Sequence, residues 1–472
     1  MKTRVLIWLA LALALLSLAI LQIRYFDHRT PVSLSNRVVV DGLDGPRGSV
    51  KLYRLVVPEG ATNLQFSVFG GSNSDAIDVY ASLGAPPTTT SYDVRDHTKG
   101  AVRMISIGEP HVGTYYLLVH GARGPFSEVS VVGSYSLRGA PFKLGMHAHR
   151  LYNGGDEDGP ASIEPAFDYG VVRDWDISHL HDAVVWKADG SIAFDLIDKV
   201  YAGHARHGAK VLKTFATVPT WASNRPDEPN PKYPSWPGAM SGPRDLDEYE
   251  GYVYRFVSHT RKFLWGVEGW NEPYACPGDA AIEFTTMTPT ELADVQKRLY
   301  IATKRADRNI LVFSPAQAYL CGIPTVLEAR TSQGEPISKF FDVFAWHAYN
   351  RSAHGDAGPA YALEIHQVRQ YLARAGLADM PIADTEHGWL PAPKEGGDEF
   401  RALADVDKGK VLYDTAQLAK SLGLMAVVWY GYDDAFIGMP MKSRVLSERL
   451  QQMYKAFNTS QSPDENIRVS SR

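Results

Sequence analysis

Cysteine is scarce in this sequence, since Cys276 and Cys321 are the only two among 472 residues. The chain can therefore form at most one internal disulfide. Positive charge is not in excess either, because 48 Lys and Arg stand against 53 Asp and Glu, for a net charge of −5. A chain with this balance gives no support for binding to nucleic acid, and we expect no nucleic-acid partner.

Long apolar runs are also missing beyond residue 23, so no second membrane-spanning segment is expected. The first run, residues 5–23, follows Lys2 and Arg4 and is long enough to cross a bilayer. A cleaved signal peptide has a shorter apolar core followed by small residues, whereas this run passes directly into Arg24. We predict that residues 1–30 are an uncleaved anchor in the inner membrane and that the rest is exported to its periplasmic face. Cleavage of the segment would instead give a secreted protein.

Residues 31–138 carry short alternating apolar runs separated by Gly, Pro and Asn, which predicts a small all-β sandwich. Its characteristic stretches are Leu34-Ser35-Asn36, Val57-Pro58-Glu59-Gly60-Ala61, Asp75-Ala76-Ile77-Asp78-Val79-Tyr80 and Gly113-Thr114-Tyr115-Tyr116. In these the segment resembles the bacterial pre-peptidase C-terminal domain, an accessory module of secreted enzymes, although Val94 stands where members often carry a cysteine. Glycan binding and a spacer role both stay open. Asp75 and Asp78 are either a cation site or a solvated loop.

Residues 139–458 alternate short apolar strands with amphipathic helical stretches, the pattern of repeated βα units around a parallel sheet. Eight strands are predicted, beginning near Leu144, Val171, Val211, Val267, Leu311, Val343, Ile382 and Met425. Apolar residues at three- and four-residue spacing predict helices at 194–207, 245–261, 289–307, 360–375, 403–421 and 443–457. Eight such units suit a closed (β/α)8 TIM barrel. The polar residues 459–472 are predicted to form a disordered tail.

The chemistry is predicted to centre on residues 267–274, Val-Glu-Gly-Trp-Asn-Glu-Pro-Tyr, at the end of the fourth barrel strand. Pro273 cannot donate to a sheet ladder, so the strand ends there and presents Glu272 at its carboxyl end. An apolar neighbour such as Trp270 disfavours an ionised carboxyl, which suits a proton donor to a glycosidic oxygen. Asn271 beside it is placed to bind a sugar hydroxyl.

This motif resembles the acid/base motif of the retaining glycoside hydrolases built on (β/α)8 barrels. The stretch Val-Pro-Thr-Trp-Ala-Ser at 218–223 narrows the likeness to family 39 and related exopolysaccharide glycosidases, over roughly residues 142–457. The resemblance implies that Glu272 is the acid/base and that Glu386, within Thr-Glu-His-Gly-Trp after the seventh strand, is the nucleophile. It also implies that Asn271 contacts the sugar 2-hydroxyl and that Trp429 forms the floor of the cleavage subsite. Retention rests on the resemblance, because sequence positions do not measure the gap between two carboxylates.

Polar residues at other strand ends are expected to support the glutamates. A guanidinium fork favours an ionised carboxylate, so Arg173, with His347 or Tyr349, is expected to hold Glu386. The alternative for Arg173 is an ion pair with a neighbouring aspartate. Two deeper carboxylates are expected to be buried partners of Lys213 or Arg173, namely Glu268 and Asp384.

The strand ends are also rich in aromatic side chains, on which sugar rings can stack. Further substrate-binding residues are predicted there: His147, His149, Trp221, Trp389 and Trp429. Long loops at 221–244 and 389–400 could line an open groove, which favours endo-type cleavage. The same loops could instead close one end into an exo pocket.

Two other functions remain as alternatives. His147 and His149 after the first strand, with His347 and Asp433, resemble the metal ligands of amidohydrolase-type barrels, in which zinc activates water. Those sites also need a basic or histidine ligand after the fifth strand, and residues 313–317 supply none. The second alternative is a non-catalytic glycan-binding barrel, which the presence of both expected carboxylates disfavours.

The preferred hypothesis is a monomeric retaining glycosidase that acts on an extracellular polysaccharide and needs no cofactor and no metal. Its predicted substrate is a bacterial exopolysaccharide or another β-linked glycan. Cys276 and Cys321 follow the adjacent fourth and fifth strands, and an exported protein meets an oxidising compartment. We therefore predict a disulfide between them that pins the segment after Glu272.

Overall fold

The computed structural model describes residues 30–458 except for 74–75, 99–101, 138–141, 149–154, 157–158, 161–167, 176–179, 231, 233, 277–283, 319, 351–356, 390–402, 404 and 432–443. The chain divides into two compact units, Met1–Arg138 and Gly139–Arg472. Among the helices of the described residues, none is both long and apolar enough to span a membrane. The run at 5–23, where the anchor is predicted, and the predicted tail at 459–472 both lie outside these residues.

The first unit is built from strands in two sheets. They are β1 (Val32–Ser33), β2 (Val40–Gly45), β3 (Val50–Val57), β4 (Ala61–Phe69), β5 (Asp78–Leu83), β6 (Val94–Asp96), β7 (Val102–Ile107), β8 (Gly113–His120) and β9 (Phe126–Leu137). One sheet has the order β1-β3-β8-β5-β6 and the other β2-β9-β4-β7. The pairs are antiparallel apart from β1 with β3.

The two sheets of the first unit enclose one apolar core, as in a β-sandwich. Along β3, Tyr53, Leu55 and Val57 are buried while the residues between them are exposed, because successive side chains point to opposite faces. They pack in one cluster with residues of the other sheet, including Phe66 and Val131. Apolar and polar residues therefore alternate in the sequence of β3 because its sheet is buried on one face only.

Asp78, one of the two aspartates considered as a cation site, forms an ion pair with Arg123. Their Oδ1 and Nη1 atoms are 2.7 Å apart. Asp75 lies outside the described residues. The ion pair already neutralises the Asp78 carboxylate, so the contacts of this residue favour the solvated-loop interpretation.

The second unit contains an eight-stranded parallel sheet. Its strands are β10 (Lys143–His147), β13 (Val171–Asp174), β14 (Lys210–Thr214), β15 (Leu264–Glu268), β16 (Leu311–Phe313), β17 (Phe344–Asn350), β18 (Ile382–Trp389) and β19 (Ala426–Trp429), while β11 (Gly155–Asp156) and β12 (Gly159–Pro160) form a separate small hairpin. The sheet order is β16-β15-β14-β13-β10-β19-β18-β17. Parallel bridges from Phe313 to Val343 and from Gln317 to Trp346 bring the two outer strands together. The sheet thus closes with its strands in chain order, and the predicted barrel is confirmed.

Helices follow the strands, as the repeated βα pattern predicts. They are α1 (Asp182–Val185), α2 (Phe194–Arg206), α3 (Leu246–Thr260), α4 (Pro289–Ala306), α5 (Ile323–Glu328), α6 (Ala357–Arg374), α7 (Asp405–Ser421) and α8 (Arg444–Asn458). All six predicted helices are present, with ends within a few residues of the predicted ones. The start of α4 shows why: Thr288 and Glu291 form a capping box and Pro289 occupies the first turn.

Inside the barrel the side chains are small or branched, and they pack against one another. The cluster includes Val171, Leu212, Ala345, Ala383 and Val428. The interior is a packed core, so functional groups are confined to the rim where the strands end. All the residues of the site described next lie at that rim or one layer below it.

Candidate active site

Glu272 lies at the rim, a few residues past the end of β15. Its φ of 40° is in the left-handed region, which residues other than glycine rarely occupy. Its N–H donates to the carbonyl of Ala316 at 2.8 Å, and its own carbonyl accepts from the N–H of Phe284 at 3.1 Å. Strained backbone of this kind persists where the surrounding structure fixes it, and it is frequent at active sites. The orientation of Glu272 is therefore set by the backbone around it.

Glu386 on β18 accepts a hydrogen bond at each carboxylate oxygen. Arg173 on β13 donates from Nη1 to Oε2 at 2.8 Å. The hydroxyl of Tyr349 on β17 donates to Oε1. A guanidinium and a phenol directed at one carboxylate favour its ionised form. Burial and the Glu386 charge also raise the pKa of Tyr349 well above its ordinary value, so the phenol keeps its proton for this bond.

His347, which was considered together with Tyr349 as a partner of Glu386, contacts Glu272 more closely. Its Nδ1 atom is 2.6 Å from Oε1 of Glu272 and 3.7 Å from Oε2 of Glu386. Burial alone lowers the pKa of His347, but the Glu386 charge and the hydrogen bond with Glu272 outweigh it and raise the pKa above 6.5. The imidazole thus lies between the two carboxylates and is able to share a proton with Glu272.

The two glutamates face each other across the barrel mouth. One imidazole nitrogen of His347 and one carboxylate oxygen from each of Glu272 and Glu386 all lie within 4.8 Å of one another. Both glutamates are largely buried, with 9% and 6% of their surfaces exposed. Both carboxylates are therefore largely shielded from bulk solvent.

Arg173 is fully buried and connects three acidic or amide side chains. Its Nε donates to Oε2 of Glu268 at 2.6 Å, and its Nη2 donates to Oδ1 of Asn271 at 2.7 Å. The prediction that Glu268 is a buried partner of Arg173 is confirmed. Asp174 pairs with Lys213 instead of Arg173. Arg173 donates to the amide oxygen of Asn271. The amide nitrogen of Asn271 therefore points away from the guanidinium and is able to donate to another group.

Asp384 is buried, but its partners are not those predicted. It accepts from the hydroxyl of Tyr361 at 2.8 Å and lies 2.6 Å from Nδ1 of His387. Lys213 is instead 3.6 Å from Asp182. The pairing of β18 with β19 is irregular between Asp384 and His387. Because this shift changes the direction of the side chains, the position of Asp384 along its strand did not predict its partners correctly.

Several residues predicted to bind substrate are packed against the protein instead. Trp429 is 0% exposed and meets the ring of His387 edge-on at 4.8 Å, so its predicted role as the floor of the cleavage subsite is not supported. Trp221 is partly exposed, with the guanidinium of Arg244 5.7 Å from its ring centroid, and its role in substrate binding stays a prediction. His147 is buried, with Nε2 3.2 Å from the carbonyl of Thr385. His149 and the side chain of Trp389 lie outside the described residues.

Tyr430, which was not among the predicted substrate-binding residues, lies near Tyr349. It is partly exposed, and its ring centroid is 4.8 Å from that of His147 and 6.4 Å from that of Tyr349. Tyr349 bonds Glu386, so Tyr430 lies beside the carboxylate site. Successive residues of a strand point to opposite sides, and alternation along Val428, Trp429 and Tyr430 was the available signal.

The alternative metal site can be tested against these contacts. The Nε2 atom of His147 lies within hydrogen-bonding distance of a backbone carbonyl, and both His149 and Asp433 lie outside the described residues. Within the described residues, the group of three possible ligands is Glu272, His347 and Glu386. A cation bound there would compete with the guanidinium that already pairs with Glu386. The donor set therefore fits a carboxylate pair with an acid-base partner better than a metal site.

The predicted disulfide is confirmed. Cys276 and Cys321 are bonded, with Cα atoms 5.6 Å apart and a sequence separation of 45. Gln317 donates from its side chain to the carbonyl of Tyr274 within the same loop pair. The segment that follows Glu272 is thereby fastened to the loop after β16.

Comparisons with known proteins find only partial likenesses. A scan against models of known families gives no match. One stretch of 59 residues is 39% identical to xanthomonalisin from Xanthomonas sp. (strain T-22), and 102 residues are 32% identical to alkaline serine exoprotease A from Vibrio alginolyticus. These matches cover 12% and 22% of this chain. The chain spans only 7% and 18% of the length of those two proteins.

Solved structures with partial similarity include three glycan-cleaving enzymes. A glucosidase from Croceicoccus marinus aligns with 67% of this chain and 68% of its own, at 15% identity and a TM-score of 0.49. A monomeric beta-xylosidase from Caulobacter crescentus CB15 aligns with 56% and 54%, at 19% identity and a TM-score of 0.42. Endo-glycoceramidase II from Rhodococcus sp. aligns with 66% and 79%, at 15% identity and a TM-score of 0.42.

Proposed function

We propose that this protein is a retaining glycoside hydrolase in which Glu272 is the acid/base and Glu386 the nucleophile. The observation that carries the proposal is a pair of buried carboxylates in which one oxygen of each lies within 4.8 Å of an oxygen of the other. Retaining enzymes place their two carboxyl groups about 5–5.5 Å apart, whereas inverting enzymes need about 6.5–9.5 Å to admit a water. One oxygen of each carboxylate lies within 4.8 Å of an oxygen of the other, and this close approach supports direct attack by one carboxylate.

In the first step an oxygen of Glu386 bonds to the anomeric carbon of the sugar, and the bond from that carbon to the glycosidic oxygen breaks. Glu272 gives its proton to the departing oxygen, so the leaving sugar departs as a neutral alcohol. In the second step Glu272 takes a proton from water, and the water oxygen replaces Glu386 at the anomeric carbon. Two displacements return the starting configuration.

The neighbours of each glutamate match these opposite roles. Glu386 attacks as an anion, and both of its oxygens accept hydrogen bonds, from Arg173 and Tyr349. Glu272 must gain and lose a proton, and its close partner is the imidazole of His347. His347 accommodates either protonation state of Glu272, since an imidazole nitrogen can donate or accept.

Asn271 supports the same assignment. Its oxygen is held by Arg173, which leaves the amide nitrogen to donate to the substrate. A hydrogen bond to the sugar 2-hydroxyl strengthens as positive charge develops at the anomeric carbon, and such bonds supply several kcal/mol in glycosidases. The link through Arg173 keeps Asn271 and the nucleophile in one fixed unit.

The wider setting is part of the proposal. The likeness of the sequence motifs to family 39 and to exopolysaccharide glycosidases supports a bacterial exopolysaccharide, or another extracellular β-linked glycan, as the substrate and endo-type cleavage. The apolar run at 5–23 supports an anchor that holds the enzyme on the periplasmic face of the inner membrane. The likeness of residues 31–138 to the pre-peptidase C-terminal domain supports an accessory β-sandwich of that kind. We propose that the enzyme acts as a monomer.

The test is to incubate the full chain with a panel of β-linked extracellular polysaccharides and to analyse the products. We expect oligosaccharides at early times, and reducing ends that first appear in the configuration of the bond that was cut, as seen by proton NMR. The double variant Glu272→Gln with Glu386→Gln is the control for contaminating activity. Inverted products would contradict the mechanism, and monosaccharide alone at early times would contradict endo-type cleavage.

A further inference from the structure

Strand β18 contains one residue more than either of its neighbours at the place where it carries Glu386. Beside β17, two consecutive residues pair with Asp384 and Glu386, so Thr385 is the extra residue. Beside β19, residues two apart pair with Asp384 and His387, which are three apart. An extra residue of this kind is a β-bulge, a feature that is frequent next to active sites and can change the direction of a side chain.

The bulge decides the side of the strand on which Glu386 lies. Ala383 belongs to the cluster inside the barrel, and Asp384 after it reaches the hydroxyl of Tyr361 on α6, outside the barrel. Strict alternation would place Glu386 on the same side as Asp384, facing the helices. Because of the extra residue, Glu386 pairs with His347 instead and reaches the guanidinium at the barrel mouth.

A hydrogen bond between two buried side chains spans the bulge. The Nδ1 atom of His387 donates to Oδ2 of Asp384 at 2.6 Å, and both residues are 0% exposed. Side chains three positions apart in a regular strand point to opposite faces. These two meet because the extra residue lies between them, so their bond closes the bulge on the side away from the substrate.

Other elements of the barrel hold the two ends of this bond and the extra residue. Asp384 also accepts from the hydroxyl of Tyr361 at 2.8 Å and from the backbone N–H of Ala348 at 3.3 Å. The carbonyl of Thr385 accepts from Nε2 of His147 at 3.2 Å. His147 lies on β10, which is not adjacent to β18 in the sheet. The bulge is therefore fixed from α6, β17 and β10, and buried networks of this kind make the local structure rigid.

We propose that His387 and Asp384 are positioning residues, which direct the nucleophile into the barrel mouth by closing the bulge between them. This inference rests on the proposed role of Glu386 as the nucleophile. A displacement of about 1 Å at a reacting group can cost about a hundredfold in rate. Both residues lie behind the strand and do not touch the substrate, so their loss should lower kcat and leave KM nearly unchanged.

The experiment compares three variants of the full chain on a glycan that the wild type cleaves. His387→Phe keeps a ring but removes the donor, whereas His387→Asn removes the ring and keeps an N–H donor close to the place of Nδ1. Tyr361→Phe is the matched comparison, because it removes a hydrogen bond to the same oxygen of Asp384 without opening the bulge. Thermal unfolding of each preparation gives the folded fraction to which kcat is referred.

We expect His387→Phe to lower kcat by about ten- to hundredfold with KM within about twofold of the wild type. His387→Asn should lose less than His387→Phe, since the bond across the bulge can form again. Tyr361→Phe should stay within about threefold of the wild-type kcat, because a single neutral hydrogen bond is worth only about 1 kcal/mol. A loss in Tyr361→Phe equal to that in His387→Phe, or a wild-type kcat in His387→Phe, would overturn the positioning role.

A greater loss in His387→Asn than in His387→Phe would assign the effect to packing of the ring and would also overturn it. If His387→Phe does not fold, Asp384→Asn tests the same bond. An amide has one acceptor oxygen where Asp384 uses two, so kcat should fall by about tenfold, and an unchanged kcat would contradict the inference.

A crystal structure of His387→Phe separates this inference from the function on which it rests. We expect Glu386 to lose its contact with Arg173 or with Tyr349 in that variant, whether or not the chain cleaves a glycan. If the wild type cleaves no glycan, the glycosidase proposal fails and the structure still decides the positioning role. Glu386 bonded to both partners as in the wild type would show that the bond across the bulge does not position it.

Discussion

The Nη1 atom of Arg173 lies 2.8 Å from Oε2 of Glu386, in a contact that leaves the arginine side chain 0% exposed and the glutamate side chain 8% exposed. The same guanidinium also donates to Glu268 and Asn271, so one planar group sets the geometry of three side chains. Lysine carries the same charge but lacks the fork that reaches three acceptors. The Arg173 guanidinium is thus the structural centre of the site.

We therefore predict that Arg173→Lys lowers kcat by about a hundredfold or more, because a misplaced nucleophile costs that much even when its charge is kept. Arg173→Met should in addition destabilise the barrel by about 3–5 kcal/mol, since it leaves Glu268 as a buried and uncompensated charge. Steady-state kinetics and chemical denaturation measure the two effects. Arg255→Lys, at an exposed position on α3, is the control. Wild-type kcat in Arg173→Lys would show that the fork is not needed.

The bond between Cys276 and Cys321 should contribute to stability. It closes a loop of 45 residues, and a loop of that size is worth about 2–4 kcal/mol. We expect the double variant Cys276→Ser with Cys321→Ser to lose that amount in chemical denaturation, compared with the oxidised wild type. Titration of the denatured, unreduced wild type should find no free thiol. Two free thiols would contradict the bond itself.

Tyr430 and Trp429 are adjacent and should respond differently to truncation. Tyr430 borders the carboxylate site, so Tyr430→Ala should lower kcat/KM by about tenfold through lost stacking, while Tyr430→Phe should stay near the wild type. Trp429 is buried, and Trp429→Ala should cost about 3–5 kcal/mol of stability. Kinetics and thermal unfolding of the same preparations distinguish the two positions. If a stably folded Trp429→Phe lost kcat/KM and Tyr430→Ala did not, Trp429 would be the side chain on which the sugar ring stacks.

Two buried histidines should change stability with pH in opposite directions. The pKa of His347 is raised in the folded state, so its stabilising contribution is fully present below about pH 6.5 and is lost as pH rises through the folded pKa. Burial lowers the pKa of His204 to about 3, so stability from its neutral form is present above about pH 6.5 and is lost as pH falls below that value.

The prediction is tested by thermal unfolding of His347→Gln and His204→Gln across pH 5 to 9. Relative to the wild type, His347→Gln should lose more stability at about pH 6 than at about pH 9. His204→Gln should lose less at about pH 5 than at about pH 8. Comparing differences from the wild type removes the titration that all three proteins share. The same pH dependence in both variants would contradict the opposite shifts.

Much of this architecture follows from local patterns in the sequence. The sandwich strands and the long helices are predicted because burial on one side imposes apolar periods of two and about 3.6. The barrel strands are predicted as short apolar runs because they are buried on both faces. The short helices α1 and α5 were missed because one or two turns carry no measurable period. Glu272 and Glu386 were identified from short motifs whose backbone context, a strand end beside a proline or glycine, is itself local.

The directions of the remaining side chains could not be predicted for a physical reason. Irregular pairing between Trp346 and His347 and between Asp384 and His387 shifts the in-and-out alternation near the strand ends. That shift moves the imidazole of His347 to Glu272 and gives Asp384 a histidine partner. Trp429 and Tyr430 are consecutive residues, so their side chains point to opposite sides, and the motif alone did not show which of them faces the rim.

The two glutamates should be separable by kinetics, since their proposed roles differ. Glu386→Gln removes the covalent route and should lower turnover by more than about a thousandfold on every substrate, whatever the leaving group. Glu272→Ala should keep the first step on an aryl glycoside, because an activated phenol departs without a proton. The glycosyl-enzyme should then accumulate, because its hydrolysis lacks a base. A burst of the phenol followed by slow turnover is the expected signature.

Added azide provides the decisive comparison. Azide attacks the anomeric carbon without deprotonation, so it should restore turnover in Glu272→Ala and give a glycosyl azide with the starting configuration. Glu386→Gln forms no glycosyl-enzyme that azide could attack. We therefore expect azide to give no glycosyl azide of retained configuration with this variant. Both variants keep Arg173 and its bond to Asn271, so binding of the sugar 2-hydroxyl is not the variable. If azide instead gave a glycosyl azide of retained configuration with Glu386→Gln and left Glu272→Ala inactive, the acid/base and nucleophile would have to be exchanged.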